Sequence, residues 1–266
     1  MEPRSTRWNR LCATAASFTL FGLGGLLLGL IVIPILIVLP GGPSRLRLRS
    51  RALVQRSFLL FMKFMRVSGV LDFDFRRTQG LGRPGQLIVA NHPTLIDVVM
   101  ILAYTPIATC VVKASLMRNV FMRVVLRAAG FIPNVPVDEM IERAAAALDG
   151  GECLIMFPEG TRSRPGEPLV FNRGAAAVAV RAAKTLTPVF ITCEPSLLAK
   201  GVPWYRVPDR QPLLIAWVGD DIDLSRYREM PAPRAARELN AALQTLYAQG
   251  LAIGRGYNGT QGQGGP

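Results

Sequence analysis

The sequence predicts an α/β fold, a mixed sheet flanked by helices, preceded by an apolar helical module. From residue 71 onward, short apolar runs of strand length alternate with amphipathic or alanine-rich segments of helix length. Such alternation is typical of α/β layer architectures. Before residue 71, uncharged apolar residues and arginines dominate the chain. We therefore divide the chain into an N-terminal module of residues 1–70, an α/β domain of residues 71–249 and a tail of residues 250–266.

The first apolar segment, residues 13–39, contains 27 residues without a charge. At about 1.5 Å per residue, a helix of this length crosses a ~30 Å hydrocarbon core. It is longer than the core of a signal peptide. Pro34 and several glycines also suit a kinked helix that enters one leaflet and returns. Spanning and re-entry both remain open, because basic residues flank both ends.

The second segment, residues 46–67, has the pattern of a basic amphipathic helix. Arg49, Arg56 and Lys63 recur every seven residues, while leucine, phenylalanine and methionine occupy another face. Such a helix either lies in a membrane interface or packs on the domain with its basic face in solvent. Residues 1–70 hold ten arginines and lysines against one acidic residue, Glu2, within a net charge of +13. Since this charge lies beside an apolar segment, it predicts attachment to an anionic bilayer surface and not to nucleic acid.

Within the α/β domain, each element follows from its own pattern. Apolar runs predict strands at 71–75, 87–90, 109–113, 152–157, 188–193 and 213–218. Helical periodicity predicts helices at 94–104, 117–129, 138–148, 174–185 and 234–249. Gly130 and Gly150 are expected to end two of these helices. The tail is rich in glycine, glutamine and asparagine with little to bury, so we expect it to be disordered.

Cysteine and histidine usage excludes the usual zinc site. The four cysteines lie far apart without a C-x-x-C pair, and the chain has one histidine. We expect no metal ligands and interpret the cysteines as reduced thiols of a cytosolic domain.

The only histidine, His92, lies in the stretch Asn91-His92-Pro93-Thr94-Leu95-Ile96-Asp97. It falls between a predicted strand and a predicted helix, where open α/β sheets hold their ligands. On one continuous helix His92 and Asp97 would be about 140° apart. With His92 in a loop and Asp97 in the first helical turn, the carboxylate can accept from Nδ1–H and leave Nε2 free to take a proton. Thr94 and Asp97 also fit a capping box, which needs no catalytic role.

A second polar stretch follows the strand that ends at Phe157. Gly160 permits close approach of backbone N–H groups to a ligand, Thr161 supplies a hydroxyl, and Arg162 offers a planar fork suited to phosphate. A turn with a surface arginine is the alternative.

Together, N-H-x4-D at 91–97 and F-P-E-G-T-R-S at 157–163 resemble the glycerolipid acyltransferase superfamily, in particular its lysophosphatidate acyltransferase branch. Phe171-Asn172-Arg173-Gly174 and Thr187-Pro188-Val189 extend the resemblance, which covers roughly residues 85–195. It implies transfer of an acyl group to a glycerol hydroxyl, with acyl-CoA or acyl-carrier-protein as co-substrate and no cofactor. The chain offers neither a G-x-S-x-G elbow nor a cysteine beside the histidine, which agrees with a general-base reaction.

The resemblance also implies residue roles. His92 would be the general base and Asp97 its orienter. The acceptor phosphate would be bound by Glu159, Gly160, Thr161 and Arg162, and Lys113 and Arg173 are candidate contacts for the oxyanion or the phosphate. The expected location is the cytoplasmic face of the inner or plasma membrane.

One block departs from the superfamily pattern. The superfamily's second motif block often ends in an arginine six residues after its glycine. Here that block is Gly130-Phe131-Ile132-Pro133-Asn134-Val135-Pro136, which places Pro136 at the position of the arginine. Either Arg127 or Arg173 replaces that cation, or the acceptor carries less phosphate than lysophosphatidate. A lyso-aminolipid or specialised-lipid acyltransferase is therefore the alternative enzyme, and a non-catalytic lipid-binding membrane protein is a further alternative. The sequence leaves oligomeric state open.

Overall fold

The structure, a computed structural model, describes residues 7–164 and 166–261. Its first helix is continuous over Arg7–Val38 and consists of α1 (Arg7–Leu27), a π-helical turn (Leu28–Val32) and α2 (Ile33–Val38). Within the described residues, this helix alone has the length and composition to cross a membrane, with an 18-residue window of mean hydropathy 2.7. A break at Gly41, whose φ of 127° favours glycine, leads into α3 (Gly42–Val67).

The remaining elements alternate as expected for an α/β domain. The strands are β1 (Asp72–Arg76), β2 (Gln86–Ala90), β3 (Thr109–Val112), β4 (Ile132–Pro133), β5 (Leu154–Met156), β6 (Thr185–Glu194) and β7 (Leu213–Val218). The helices are α4 (Asp97–Tyr104), α5 (Arg123–Ala128), α6 (Val137–Asp149), α7 (Gly174–Ala182), α8 (Ser225–Arg228) and α9 (Ala232–Gln261). Short 3₁₀ turns cover Thr78–Gly80 and Ala114–Arg118.

Seven strands form one mixed sheet in the order β1-β7-β6-β2-β5-β3-β4. Neighbouring strands are parallel, except that β6 and β7 run antiparallel. Strand β2 lies in the middle, and its alternate side chains enter two cores: Ile88 and Ala90 face one layer, Leu87 and Val89 the other. The N-terminal helices, α4 and α5 cover the first face, and α6, α7 and α9 cover the second. The predicted fold class is confirmed.

Helix α3 contributes to the first core. Val54, Met62 and Met65 are buried in it together with side chains of α4 and β1. Arg51 of α3 is almost fully buried, where Nε donates to Ala129 O at 2.8 Å and Nη2 pairs with Glu152 at 2.8 Å. Of the two interpretations of residues 46–67, packing on the domain describes this helix. Residues on both sides of residue 70 therefore pack in one hydrophobic core. Membrane attachment of residues 1–70 stays a prediction.

Two helices begin or divide differently from the prediction. Helix α4 begins at Asp97 and not at residue 94, because the Thr94 hydroxyl and amide bond the Asp97 carboxylate in a turn. The predicted helix 117–129 is instead a 3₁₀ turn, a loop and α5. In the loop, the Asn119 side-chain oxygen accepts a hydrogen bond from Phe121 N at 2.9 Å, which favours a turn over a continuous helix.

The expectation of a disordered tail is wrong for residues 250–261, which continue α9. Gly250 is a packing position, since a Cβ added there would lie 2.5 Å from the Phe190 ring. Leu251 packs against the second core. The absence of a side chain at Gly250 lets the helix pass close to the sheet, which composition alone could not show. Residues 262–266 of the predicted tail lie outside the described residues.

Candidate active site

His92 and Asp97 lie in contact at the carboxyl end of β2. His92 Nδ1 is 2.8 Å from Asp97 Oδ2. The Asp97 side chain is fully buried at the start of α4, and the His92 side chain is 15% exposed. This geometry places the Nδ1 proton on the Asp97 side and directs Nε2 outward. Within the described part of the chain, no hydrogen bond to Nε2 is found.

Thr94 fixes the Asp97 carboxylate from the opposite side. Thr94 N donates to Oδ2 at 2.7 Å and Thr94 Oγ1 donates to Oδ1 at 2.6 Å. The capping interpretation and the orienting interpretation of Asp97 therefore describe the same carboxylate. Three donors surround one buried anion, which satisfies it without an arginine or lysine.

The imidazole ring packs on Phe157 from β5's carboxyl end. The ring centroids are 4.5 Å apart and the planes are inclined by 37°. Phe157 directly precedes the second polar stretch. The ring therefore limits rotation of the histidine while its Nε2 edge stays accessible.

Glu159 joins the two polar stretches. Its Oε1 accepts from His92 N at 2.8 Å and its Oε2 accepts from Ser163 Oγ at 2.6 Å. Ser163 N in turn donates to His92 O at 2.8 Å. Burial raises the pKa of Glu159, while the hydrogen bonds from Ser163 and His92 oppose that shift. The carboxylate thus holds the His92 loop, and its negative charge disfavours the direct phosphate contact that the motif predicted for it.

The turn after Phe157 requires glycine at residue 160. Gly160 has a φ of 65° and its N–H donates to Phe157 O at 3.0 Å. A Cβ there would lie 3.3 Å from Asn172 Nδ2, which donates to Glu159 O at 3.1 Å. Asn172 belongs to the F-N-R-G block, so this block also supports the turn.

Arg162 and Thr161 occupy the outer side of the turn. Arg162 Nη1 donates to Leu198 O at 2.6 Å, which fixes the guanidinium against the loop that follows β6. Thr161 is exposed. The remaining Arg162 donors and the Thr161 hydroxyl are the groups of this turn suited to an anion.

Asn91 extends the sheet by one residue beside the histidine. Its side-chain amide donates to Ile191 O and accepts from Ile191 N, both at 2.8 Å. The amide reproduces the bonds of a peptide group and fixes the start of the His92 loop. No role was predicted for Asn91, although its place directly before the histidine was a usable signal.

Comparisons with known proteins give the same family as the motifs. A sequence model described as Acyltransferase matches residues 73–192. The matched residues include both polar stretches, and this part of the chain is similar to the glycerolipid acyltransferase superfamily. A protein of Helicobacter pylori named 1-acyl-sn-glycerol-3-phosphate acyltransferase is 28% identical over 153 residues, which cover 54% of this chain and 65% of that protein. A Borreliella burgdorferi protein of the same name is 33% identical over 113 residues, 39% of this chain and 44% of that protein.

A crystal structure of a 1-acyl-sn-glycerophosphate acyltransferase, PlsC, from Thermotoga maritima has the same fold. Its TM-score is 0.74 at 20% identity, over 92% of this chain and 96% of that chain. The matched segments span less than two thirds of the length of the curated relatives. These comparisons show the fold and a similarity to acyltransferases over residues 73–192.

The cations proposed around the superfamily motifs are dispersed. Lys113 is exposed at the end of β3, and Arg173 is exposed immediately before α7. Arg127 lines a groove with Arg47 and Arg143, and no residue from 91–97 or 157–163 lines that groove. Arg127 therefore lines a groove that neither motif lines, and its replacement of the arginine missing at Pro136 stays a prediction.

The buried cysteines are poor candidates for a nucleophile. Cys110, Cys153 and Cys193 are buried, and burial raises the pKa of each thiol to about 12. Thiols of such high pKa are poor nucleophiles at neutral pH. Among residues 7–164 and 166–261, no group of three His, Cys, Asp or Glu side chains could hold a metal ion.

Proposed function

We propose that this protein transfers a fatty acyl group from an acyl-CoA or acyl-carrier-protein thioester to the hydroxyl of a lysophospholipid. The favoured acceptor is 1-acyl-sn-glycerol-3-phosphate, and the product is then phosphatidate. The observation that carries this proposal is the contact between His92 Nδ1 and the buried Asp97 carboxylate, which leaves Nε2 directed outward. The names of the Helicobacter and Borreliella relatives support the choice of acceptor.

The proposed reaction needs one proton carrier. His92 Nε2 takes the proton of the acceptor hydroxyl as its oxygen attacks the thioester carbonyl carbon. The tetrahedral intermediate expels the thiolate, which receives the proton from the imidazolium and leaves as a free thiol. Asp97 stabilises the imidazolium through Nδ1–H. No acyl-enzyme is formed, because the thioester is already activated and the buried cysteines are poor nucleophiles.

The acceptor phosphate is assigned to the turn at 160–162. Arg162 keeps donors beyond the Nη1 that bonds Leu198 O, and Thr161 adds a hydroxyl. Glu159 acts as a positioning residue, since it bonds His92 N and Ser163. Lys113 and Arg173 remain proposed contacts for the oxyanion or the phosphate, at the rim of the site.

An apolar cavity of about 360 Å³ supports a long-chain substrate. Leu95, Ile96 and Val98, which lie at the start of α4 and just before it, line it from one side. Phe18 and Phe21 of α1 line it from the other side. An acyl chain fits such a lining, because each buried methylene contributes about 0.8 kcal/mol. The N-terminal helix therefore completes the proposed acyl site.

We further propose that the protein lies on the cytoplasmic face of the inner or plasma membrane. One side of α1 and α2 follows the domain: Arg10 bonds Pro208 O, Gly25 approaches Phe121 O, and Ile33 is buried. The opposite side exposes leucines and isoleucines from Leu20 to Ile37. A helix held along the domain in this way favours an interfacial position over a perpendicular span.

Another lipid acceptor is the second candidate function. Pro136 and the distant groove around Arg127 leave this chain without the cation that the second block often supplies. A lyso-aminolipid or specialised lipid with fewer phosphate charges would need fewer cations.

A panel assay tests both candidates. The purified full chain is incubated with acyl-CoA or acyl-carrier-protein and with lysophosphatidate, lysophosphatidylcholine, a lyso-aminolipid and glycerol 3-phosphate, and products are measured by mass spectrometry. We expect phosphatidate as the main product and none from a His92→Ala control. Acylation of the lyso-aminolipid alone would favour the second candidate, and the absence of any acylated product would contradict both.

A further inference from the structure

We propose that two loops of the catalytic domain, residues 118–121 and 201–206, insert into an anionic bilayer surface beside α1. Membrane contact would then not be limited to residues 1–70, from which the sequence predicted it. This inference rests on the proposed attachment of α1 to a membrane and adds to it the surface of the domain that meets the lipid.

Residues 201–206 form a surface loop whose tip is apolar and exposed. Val202, Trp204 and Tyr205 expose 39%, 45% and 58% of their surface. Trp204 packs edge-to-face on Phe18 of α1, with the ring centroids 5.8 Å apart, and on Tyr205 at 5.9 Å. The loop therefore continues the apolar surface of α1.

Residues 118–121 form a second exposed tip, which lies against α1. Val120 is 58% exposed and Phe121 is 42% exposed. A Cβ added to Gly25 would lie 2.4 Å from Phe121 O, and one added to Gly22 would lie 3.7 Å from the Phe121 ring. The glycines of α1, which include Gly25-x-x-x-Gly29, thus allow this loop to approach the helix closely.

The charge around both tips is complementary to an anionic surface. Residues 114–136 and 195–208 contain no aspartate or glutamate. Arg118 and Arg123 flank the first tip, and Lys200 and Arg206 flank the second. Basic residues next to exposed tryptophan and tyrosine are typical of segments at the headgroup level of a membrane.

A lipid surface fits these tips better than a protein partner. Both tips contact α1, through Phe18 and Gly25, and the N-terminal helix exposes further leucines and isoleucines from Leu20 to Ile37. Contiguous exposed apolar surface of this extent is rare in soluble monomers and marks an interaction site. An acidic carrier protein would match the basic residues but would leave the apolar face of α1 in water.

The second loop also leads to the proposed site. Leu198 and Ala199 precede it, and their carbonyl groups accept from Arg162 Nη1 at 2.6 and 3.4 Å. Leu198 lines the apolar cavity. Insertion of Trp204 would therefore place the entrance of the acyl cavity at the level of the lipid chains, from which both the acceptor and the product can diffuse laterally.

Tryptophan fluorescence can test this insertion in the full chain. A Trp8→Phe/Trp217→Phe variant keeps Trp204 as its single tryptophan, and Trp8→Phe/Trp204→Phe keeps Trp217, which stacks on Phe190 within the sheet. Each is mixed with vesicles of equimolar phosphatidylcholine and phosphatidylglycerol, with and without brominated acyl chains. We expect a shift of Trp204 emission to shorter wavelength and quenching by bromine, and no change for Trp217.

A matched pair of valines tests the energetic contribution. Val202→Asp should weaken binding to the same vesicles by about tenfold or more, since a charge in the apolar interface is unfavourable. Val137→Asp is the control, because Val137 is 54% exposed at the start of α6. Both variants should acylate detergent-dispersed acceptor at the rate of the unmodified protein, which separates membrane contact from catalysis.

The outcomes separate the two proposals. If the protein sediments with vesicles while Trp204 stays unquenched and Val202→Asp binds normally, loop insertion is overturned and attachment by α1 stands. If the protein does not sediment at all, attachment by α1 and loop insertion are both overturned. If Trp204 responds to acyl carrier protein and not to vesicles, the loop is a protein-docking surface and our inference is overturned.

Discussion

Strand β2 carries a polar network at each end, and the two networks differ in what they leave unpaired. At the carboxyl end, Asp97 and Glu159 hold His92, whose Nε2 has no hydrogen-bond partner among the described residues. At the amino end, Asp221 receives both Arg83 amino groups at 2.6 and 2.7 Å and the Thr187 hydroxyl at 2.6 Å.

In the amino-end network, the polar side chains bond one another and the backbone. Gln86 is fully buried, accepts from Gly82 N and Arg83 N, and donates to Thr187 Oγ1 at 2.8 Å. Arg83 and Asp221 bond each other in this network, so both charged groups have a partner. Carboxylates near the two ends of one strand can therefore stabilise a fold or orient a base, and the difference is whether an ionisable atom is left without a hydrogen-bond partner.

Replacement of His92 should give the largest effect. His92→Ala removes the proton acceptor, so we expect turnover to fall by about 10²–10⁴-fold. The melting temperature should change little, because the ring is at the rim of the sheet. Steady-state kinetics and thermal unfolding measure the two quantities, and near-normal turnover would remove His92 from the role of base.

Replacement of Asp97 should give the next effect. Asp97→Asn places an amide among three donors, misorients the imidazole and no longer stabilises its cation. We expect turnover to fall by about 10²-fold or more. Thr94→Val removes the bond to Oδ1 and the bond that the hydroxyl accepts from Ile96 N, but keeps the contact between His92 and Asp97, so it should cost less than about tenfold. Equal losses in the two variants would show that Asp97 acts through folding alone.

A variant of Glu159 distinguishes a role in positioning His92 from a direct contact with the acceptor phosphate. Glu159→Gln loses one of the two bonds to His92 N and Ser163, so we expect turnover to fall by about tenfold with KM for the acceptor nearly unchanged. Arg162→Ala is the contrasting variant and should raise KM for the acceptor more than for the acyl donor. A rise in acceptor KM for Glu159→Gln would restore the direct phosphate role.

Tyr247 lies between the two ends of β2 and tests whether they are coupled. Its hydroxyl donates to Val89 O at 2.5 Å and accepts from Val189 N at 3.2 Å. Tyr247→Phe leaves both backbone groups unpaired, so we expect a loss of about 1–3 kcal/mol in the free energy of unfolding. Chemical denaturation measures it. A fall in turnover under conditions in which the variant remains folded would show that this bridge also positions His92.

The amino end should respond to pH in stability and not in rate. The hydrogen bonds from Arg83 lower the pKa of Asp221, with a further contribution from Thr187. The stabilisation is therefore present above the ordinary aspartate pKa of about 3.9 and is lost as the pH falls through the lower folded value.

Asp221→Asn should lower the melting temperature at neutral pH by about 2–4 °C, as expected for about 1 kcal/mol. The difference from the unmodified protein should disappear in strong acid, and turnover should be unchanged. A pH-independent difference would assign the effect to packing and not to ionisation.

The sequence predicted the fold class and the central dyad because their signals are local. Strand β7 was predicted with its observed bounds, 213–218, since it is a continuous apolar run. His92 and Asp97 are close in sequence, and their contact followed from a loop next to a helix start. The contacts between the blocks at 91–97 and 157–163, through Glu159 and Ser163, were not predicted.

Long-range contacts were beyond the sequence. Nothing local to Tyr247 predicts a bond to Val89, which is 158 positions away. The bond between Glu159 and His92 N depends on the register of β2 and β5, which the sequence does not show. The continuation of α9 beyond Gly250 depends on the Phe190 ring.

The place of α3 in the first core decides how a water-soluble form can be made. Removing residues 1–70 would strip Met62 and Met65 from the sheet and leave Glu152 without its guanidinium. Cutting before α3 would still open the acyl cavity, because Phe18 and Phe21 form its wall. A water-soluble form should therefore be sought by polar substitutions at exposed positions of the N-terminal helix, such as Leu23 and Leu30, while the helix itself is retained.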